Sequence, residues 1–180
     1  DPALPNTDVG PLIDADAKQR LHDHLQSLGK GTTVHKRAKV QDHDRGHTLF
    51  APTLVELPSL DHLQEETFGP ILHVVRYDPD KLEPVAKKLR EKGYGLTLGI
   101  HSRLASFAEE VRAAVPVGNT YINRGTTGAV VGVQPFGGEG LSGTGPKAGG
   151  PHYLLRFATE RTVTNNIMAQ GGDPELLNLS

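Results

Sequence analysis

The sequence contains no cysteine. Disulfides, thiolate metal ligands and a cysteine nucleophile are therefore excluded within its 180 residues. A basic excess is missing too: 19 Lys and Arg against 21 Asp and Glu leave a net charge of −2. Chains that depend on phosphate contacts carry a basic surplus, so this segment is not expected to bind nucleic acid. Apolar runs are no longer than a few residues, as in Ala129-Val130-Val131, far short of the roughly 20 needed to span a bilayer. The opening residues Asp1-Pro2-Ala3-Leu4-Pro5 have neither the basic start nor the apolar stretch of a secretory signal. The histidines are scattered, and His22 and His24 stand beside a solvated helix face without sharing one side, so no metal site is implied. A cytoplasmic location is the expectation.

Apolar residues make up 36% of the chain and charged residues 22%, a balance that suits one globular domain or a large piece of one. After an extended start, Asp14 or Asp16 can cap a helix with Ala17, Leu21, Leu25 and Leu28 on one face, stopped by Gly29 or Gly31. Residues 32–57 predict strands around a polar turn at Asp42–Gly46, and Pro52 within the run Leu49–Leu57 suggests an edge strand or a bulge. From residue 70 the pattern becomes regular. Ile71–Tyr77 is a strand; Asp80 caps a helix with Leu82, Val85, Ala86 and Leu89 on one face, ended by Gly93 with Lys92 in its last turn. Leu96–Ile100 is a strand, Ser102 caps a helix carrying Leu104, Phe107, Ala108, Val111 and Val115, and Val117–Ile122 is a third strand. Strands alternating with helices over short links imply an α/β fold, a parallel sheet with right-handed crossovers and helices on both faces. Residues 125–151 break the pattern as a long loop; His152–Ala158 suits a short helix, Arg161–Ile167 a strand, and residues 170–180 a tail.

Glycine is abundant, and the excess sits between Gly125 and Gly150. Gly138-x-Gly140-x-x-Gly143 matches a dinucleotide fingerprint literally. That fingerprint needs a helix opening on its third glycine, and Gly145-Pro146-Lys147-Ala148-Gly149-Gly150-Pro151 cannot be helix interior. Gly140–Lys147 fails as a P-loop, because Pro146 separates glycine from lysine and no Ser or Thr follows Lys147. A mobile surface loop is the bland reading. Against it, Ala129-Val130-Val131-Gly132-Val133 and Pro135-Phe136 are apolar, and a long loop in a compact domain is more often functional than idle. Glycines let a backbone approach a ligand and expose amides that hold a carboxylate.

Several motifs fall in an order that resembles the aldehyde dehydrogenase family. They are Glu66-x-Phe68-Gly69-Pro70, Tyr94-Gly95-Leu96, Gly118-Asn119-Thr120-Tyr121-Ile122-Asn123, and Gln134-Pro135-Phe136-Gly137-Gly138 with Ser142-Gly143; Asp8-Val9-Gly10-Pro11-Leu12-Ile13-Asp14 fits as well. The loop Gly128–Pro151 is similar to that of L-glutamate γ-semialdehyde (1-pyrroline-5-carboxylate) dehydrogenases, closest to the bacterial bifunctional proline utilization A type. The resemblance implies NAD as cofactor, with FAD only if a proline dehydrogenase domain precedes this segment. It implies that Glu66 accepts hydrogen bonds from the nicotinamide ribose and that Phe68 packs at the nicotinamide end. Gly128 and Ala129 would offer backbone N–H groups to the α-carboxylate of glutamate semialdehyde, and Phe136 would wall its aliphatic stem. Plainer alternatives stand beside these roles: Glu66 as a solvated turn carboxylate, Phe68 and Phe136 as core.

The resemblance also implies groups this chain does not hold. The family's chemistry needs a cysteine thiolate, a general-base glutamate, an oxyanion-site asparagine and a Rossmann domain, which in the family lie before the segment matching Asp8–Pro11. The expectation is a fragment inactive alone, with no catalytic residue of its own. Residues 1–158 would be part of the catalytic domain and 159–180 an oligomerisation strand and tail, in a homo-oligomer. Two other readings remain: a noncatalytic assembly module of the same type, and a semialdehyde dehydrogenase with another substrate.

Overall fold

Asp14, not Asp16, starts the first helix. In the computed structural model, which describes residues 4–38, 48–166, 171 and 175, its Oδ1 accepts a hydrogen bond from the Ala17 amide at 2.6 Å. This satisfies one of the donors that a helix start leaves bare. Helix α1 covers Ala15–Ser27. Ala17, Leu21 and Leu28 are buried. Gly29 and Gly31, at φ +72° and +91°, end the helix in left-handed backbone that glycine adopts without strain.

Strands β1 (Thr33–Arg37), β2 (Thr53–Leu57) and β3 (Ile71–Val75) form one sheet in that order. β2 runs antiparallel to β1 and parallel to β3. Side chains alternate across β2, burying Thr53, Val55 and Leu57, and Leu28 of α1's end packs on Val55 and Leu57 with Leu25, Leu63, Ile71 and Val75 around them. Pro52 does not mark an edge: β2 is the middle strand. It begins at Thr53, so Pro52 interrupts no ladder bond, and its carbonyl accepts from the Ala38 amide at 2.9 Å. The irregularity falls instead on β1, between Val34 and Lys36. Glu56 bridges the sheet, reached by His35 at 2.6 Å and Arg76 at 2.8 Å; the Arg76 guanidinium, then His35, hold its carboxyl below the usual carboxylate range. The expected turn at Asp42–Gly46 lies outside the described residues.

Helix α2 (Leu82–Glu91) follows a short 3-10 turn, Pro79–Lys81. That turn displaces the expected cap. Asp78, rather than Asp80, caps it by accepting from the Asp80 amide at 3.1 Å. Gly93 at φ +79° ends α2 as expected. Then come β4 (Tyr94–Gly95), β5 (Thr97–Ile100), α3 (Ala105–Ala114) and β6 (Asn119–Ile122). Ser102 does not cap α3 directly. Its hydroxyl accepts from the Leu104 amide at 3.0 Å in the turn before the helix, and Leu104 takes the cap position with extended backbone. Leu104 therefore leaves the helical face and is 65% exposed, while Ala108 and Val115 are buried. β5 and β6 pair in parallel through the α3 crossover, and α2 packs on α3. β3 pairs with β2 rather than with β5, because a helical crossover carries the chain to a new position in space, not obligatorily to the adjacent one. The α/β class read from the sequence is the one observed.

The loop after β6 contains one element the pattern did not show, β7 (Glu139–Gly140), antiparallel to β4. Leu154–Phe157 form a 3-10 turn where a short helix was expected. Arg161–Asn166, the described part of the strand expected over Arg161–Ile167, have no regular structure and are exposed; a strand exists only by its ladder, and no ladder among the described residues includes them. Most of the expected tail lies outside the described residues. The chain divides into two compact units, Asp1–Gly128 with Gly138–Thr144, and Ala129–Gly137 with Gly145–Ser180. Among the described residues no helix is long and apolar enough to cross a membrane.

Asn123 closes β6 in left-handed backbone at φ 55°. Its Oδ1 accepts from the Ser102 amide at 3.0 Å and its Nδ2 donates to the Ser102 carbonyl at 2.9 Å, tying β6 to the turn before α3. Asn123→Ala removes both bonds and leaves a Cβ in a disfavoured conformation without side-chain support. It should cost about 1–2 kcal/mol in thermal or urea unfolding, and Asn123→Gly, free of the backbone strain, about half as much.

Candidate functional site

The segment Glu65–Pro70 links β2 to β3 and is anchored at both ends. Upstream, the 3-10 turn Leu60–His62 is capped by Ser59 and held to α2 by the Lys88–Asp61 pair at 2.5 Å and by the Lys92 ammonium on the Leu63 carbonyl. Downstream, the Pro70 carbonyl accepts from the Thr53 amide at 3.0 Å. Between these anchors the segment lies on α1. A Cβ at Gly69 would stand 2.8 Å from Leu21 Cδ2 and closer still to Cδ1. Leu21 is buried, so glycine is needed here for space rather than for dihedral freedom.

The segment and α1 wall a cleft of about 870 Å³, completed by Val9–Ile13, in the size range of small-ligand sites. Glu66 and Phe68 both line it. Glu66 is exposed, and Phe68 is 87% exposed, so the core alternative for Phe68 does not hold in this chain. A carboxylate and an exposed aromatic ring lining one cleft offer an acceptor for two hydroxyl hydrogen bonds and a flat apolar surface.

Beneath the segment lies a contact that sequence reasoning missed. His24 of α1 and His73 of β3 approach Nε2 to Nε2 at 2.8 Å, and Thr67 Oγ1 is 3.3 Å from His24 Nδ1. Burial holds both histidines below the ordinary histidine range; Glu65 opposes this at His24, and His24 adds to it at His73. His24 is thus half-buried rather than on a solvated face, and the His22 ring meets Phe50 tilted at 56°, with 5.1 Å between ring centroids. The available signal was spacing: His24 follows Leu21 by three residues, which places it on the packed face of α1.

The other sequence motifs of the first unit meet at one place. Tyr94 pairs with Gly140 and Gly95 with Glu139, while Ser142 Oγ accepts from the Gly95 amide at 3.2 Å. The Gly118 amide donates to the Gly95 carbonyl at 2.9 Å. Gly138 and Gly143 approach so closely that a Cβ on Gly143 would lie 2.6 Å from the Gly138 carbonyl oxygen. This is a tight turn that opens no helix, which disposes of the dinucleotide fingerprint.

Gly128, at φ +77°, is exposed and ends the main stretch of the first unit; Ala129 begins the second. Among the described residues neither amide donates a hydrogen bond to another protein group. Within the second unit, Gln134 closes a turn: its amide donates to the Val130 carbonyl at 2.8 Å and its Oε1 accepts from the Val130 amide at 3.0 Å. Val131, at the tip, is 95% exposed. Phe136 is half-buried and bridges Ala148 through backbone bonds of 3.1 and 3.0 Å. Glu66 and Phe68 thus share one cleft, while Ala129 and Phe136 belong to the second unit.

Gly69→Ala should destabilise by about 1–3 kcal/mol through overpacking against Leu21. In a Leu21→Ala background the added methyl has room, so a thermodynamic cycle should show strong coupling; additive costs would contradict this contact.

The profile described as "Aldehyde dehydrogenase family" matches residues 1–163. The bifunctional protein PutA of Klebsiella aerogenes is 50% identical over 165 residues, covering 89% of this chain and 13% of that protein. The 1-pyrroline-5-carboxylate dehydrogenase of Geobacillus sp. (strain WCH70) is 36% identical over 166 residues, covering 91% of this chain and 32% of its own length. Among solved structures, a Bradyrhizobium japonicum proline utilization A variant superposes with a TM-score of 0.80 at 54% identity, over 87% of this chain and 16% of that one. The chain therefore spans between about one eighth and one third of the length of these relatives. With the profile covering nine tenths of its length, the chain belongs to the aldehyde dehydrogenase family.

Proposed function

We propose that this chain forms the part of an NAD-dependent dehydrogenase that holds the nicotinamide ribose and anchors the substrate's carboxylate, in the oxidation of L-glutamate γ-semialdehyde to L-glutamate during proline catabolism. The observation that carries the reading is the anchored Glu65–Pro70 segment, which presents Glu66 and Phe68 together on one cleft. The names of the relatives support the substrate, since two of them are a PutA and a 1-pyrroline-5-carboxylate dehydrogenase.

Each residue has a physical task. The Glu66 carboxylate accepts hydrogen bonds from the two ribose hydroxyls, which turns the ring toward the reacting carbon. Phe68 gives the nicotinamide end an apolar surface. Bound NAD supplies the hydride acceptor. The amides of Gly128 and Ala129 donate to the substrate's α-carboxylate, and at Gly128 the left-handed φ and the absence of a Cβ leave the backbone open to it. Phe136 excludes water from the aliphatic stem. The chain holds no cysteine, so the nucleophile must come from elsewhere. A flavin would belong to a proline dehydrogenase unit, and no residue here is assigned to it.

The test uses this chain alone and a chimera in which it replaces the matching part of the Klebsiella aerogenes relative. The chain alone should reduce no NAD with glutamate semialdehyde; the chimera should. In the chimera, Glu66→Gln should raise KM for NAD by about tenfold, the loss of charge-assisted hydrogen bonds, and leave KM for the aldehyde nearly unchanged. Turnover by the homogeneous chain alone, or an unaltered KM for NAD in the variant, would contradict the assignment.

A further inference from the structure

His24 and His73 have no part in the reading above, yet they sit directly under the segment it depends on. Their rings meet edge-on at 84° with Nε2 atoms 2.8 Å apart, and Thr67 Oγ1 lies 3.3 Å from His24 Nδ1 and 3.4 Å from His24 Nε2. Thr67 is the central part of the segment, between Glu66 and Phe68. The three groups therefore join three elements: α1, β3 and the cleft wall.

Proton counting limits what this contact tolerates. A neutral imidazole carries one N–H and one lone pair, so the two rings must hold opposite roles at their Nε2 atoms. If His24 accepts there, its Nδ1–H donates to Thr67 Oγ1. If it donates there, the Thr67 hydroxyl donates to His24 Nδ1. Either way the chain of hydrogen bonds is closed. One added proton leaves an imidazolium donating to an imidazole, and the contact survives. A second added proton sets N–H against N–H, with no acceptor between two cations at 2.8 Å.

We propose that Thr67, His24 and His73 form a proton-sensitive clip that positions the Glu65–Pro70 segment with Glu66 facing the cleft, and that double protonation of the histidine pair opens it. The three are positioning residues; none is placed against a substrate. The consequence for nucleotide binding rests on the ribose role of Glu66 given above, whereas the clip does not.

The surroundings fit a pair that stays neutral or singly charged. Arg20 of α1 lines the same cleft as His24, as do Glu65 and Glu66 from the segment. Lys92 and Tyr94 share a second recess with His73, again with Glu65 and Glu66. From the sheet, His73 meets Val55, which is fully buried and apolar. Burial lowers both histidines, with Glu65 as the opposing influence at His24. The sign follows: below the ordinary histidine pKa of about 6.5 the unfolded chain takes up protons that the folded pair resists, so the stability the pair contributes is complete above that pH and falls as pH drops through the lowered folded values.

The test is amide hydrogen exchange of the 63–72 region in this chain at pH 7.5 and 5.5, each corrected for the intrinsic pH dependence of exchange. Protection in the wild type should fall at least about threefold on acidification, with β5 and β6 unchanged. His24→Gln keeps a neutral side chain that can hydrogen-bond at the Nε2 position, so its segment should be protected at both pH values. His73→Phe should be unprotected at both. Wild-type protection independent of pH, or a His24→Gln response equal to that of the wild type, overturns the clip. In the chimera, KM for NAD should rise at least about threefold at pH 5.5 in the wild type and not in His24→Gln. Exchange that responds while KM does not would leave the clip standing and overturn its link to the ribose site.

Discussion

Contact between Gly69 and Leu21 sets how closely the Glu65–Pro70 segment can lie on α1, and much of the site depends on that distance. Any Cβ at position 69 would force the Leu21 methyls to shift. With the backbone this close, Thr67 comes within reach of His24, and Glu66 and Phe68 are left facing the cleft. Ends tied to Lys92 and Thr53 prevent the segment from relaxing outward. An exposed phenylalanine and an exposed glutamate are unremarkable on a loop free to move. Here both are carried on a pinned segment and line one cleft.

Much of this was legible in the sequence wherever a local rule governed. Helical spacing of Ala17, Leu21 and Leu28 with an aspartate before them gave α1, and Gly93 ended α2 as a left-handed stop. Where two local signals competed, the nearer one misled. Asp80 and Ser102 have the right chemistry for caps, but a 3-10 turn and an extra loop turn moved the helix starts past them. Pro52 looked like an edge marker because the sequence does not say where a strand begins.

The rest depended on contacts between distant residues. His24 and His73 are 49 positions apart, and nothing in either neighbourhood announces the other. β7 is two residues long and exists only because β4 lies beside it. The ordered motifs were visible, but their physical reason was not. Tyr94-Gly95-Leu96, the Gly118 strand and the Gly138–Gly143 turn converge on hydrogen bonds around Gly95, so much of that pattern is backbone packing rather than ligand chemistry. Arg161–Asn166 show the reverse: residues of high strand propensity form no strand, since no sheet among the described residues takes them in.

In the proposed reading this chain orients the ribose and anchors the carboxylate, and the nucleophile comes from elsewhere. The most direct test is a crystal structure of the Klebsiella chimera with NAD and glutamate bound. The account predicts both ribose hydroxyls on the Glu66 carboxylate and the glutamate α-carboxylate on the amides of Gly128 and Ala129. Glu66 turned to solvent with the ribose held elsewhere, or the α-carboxylate bound away from those two amides, would contradict it.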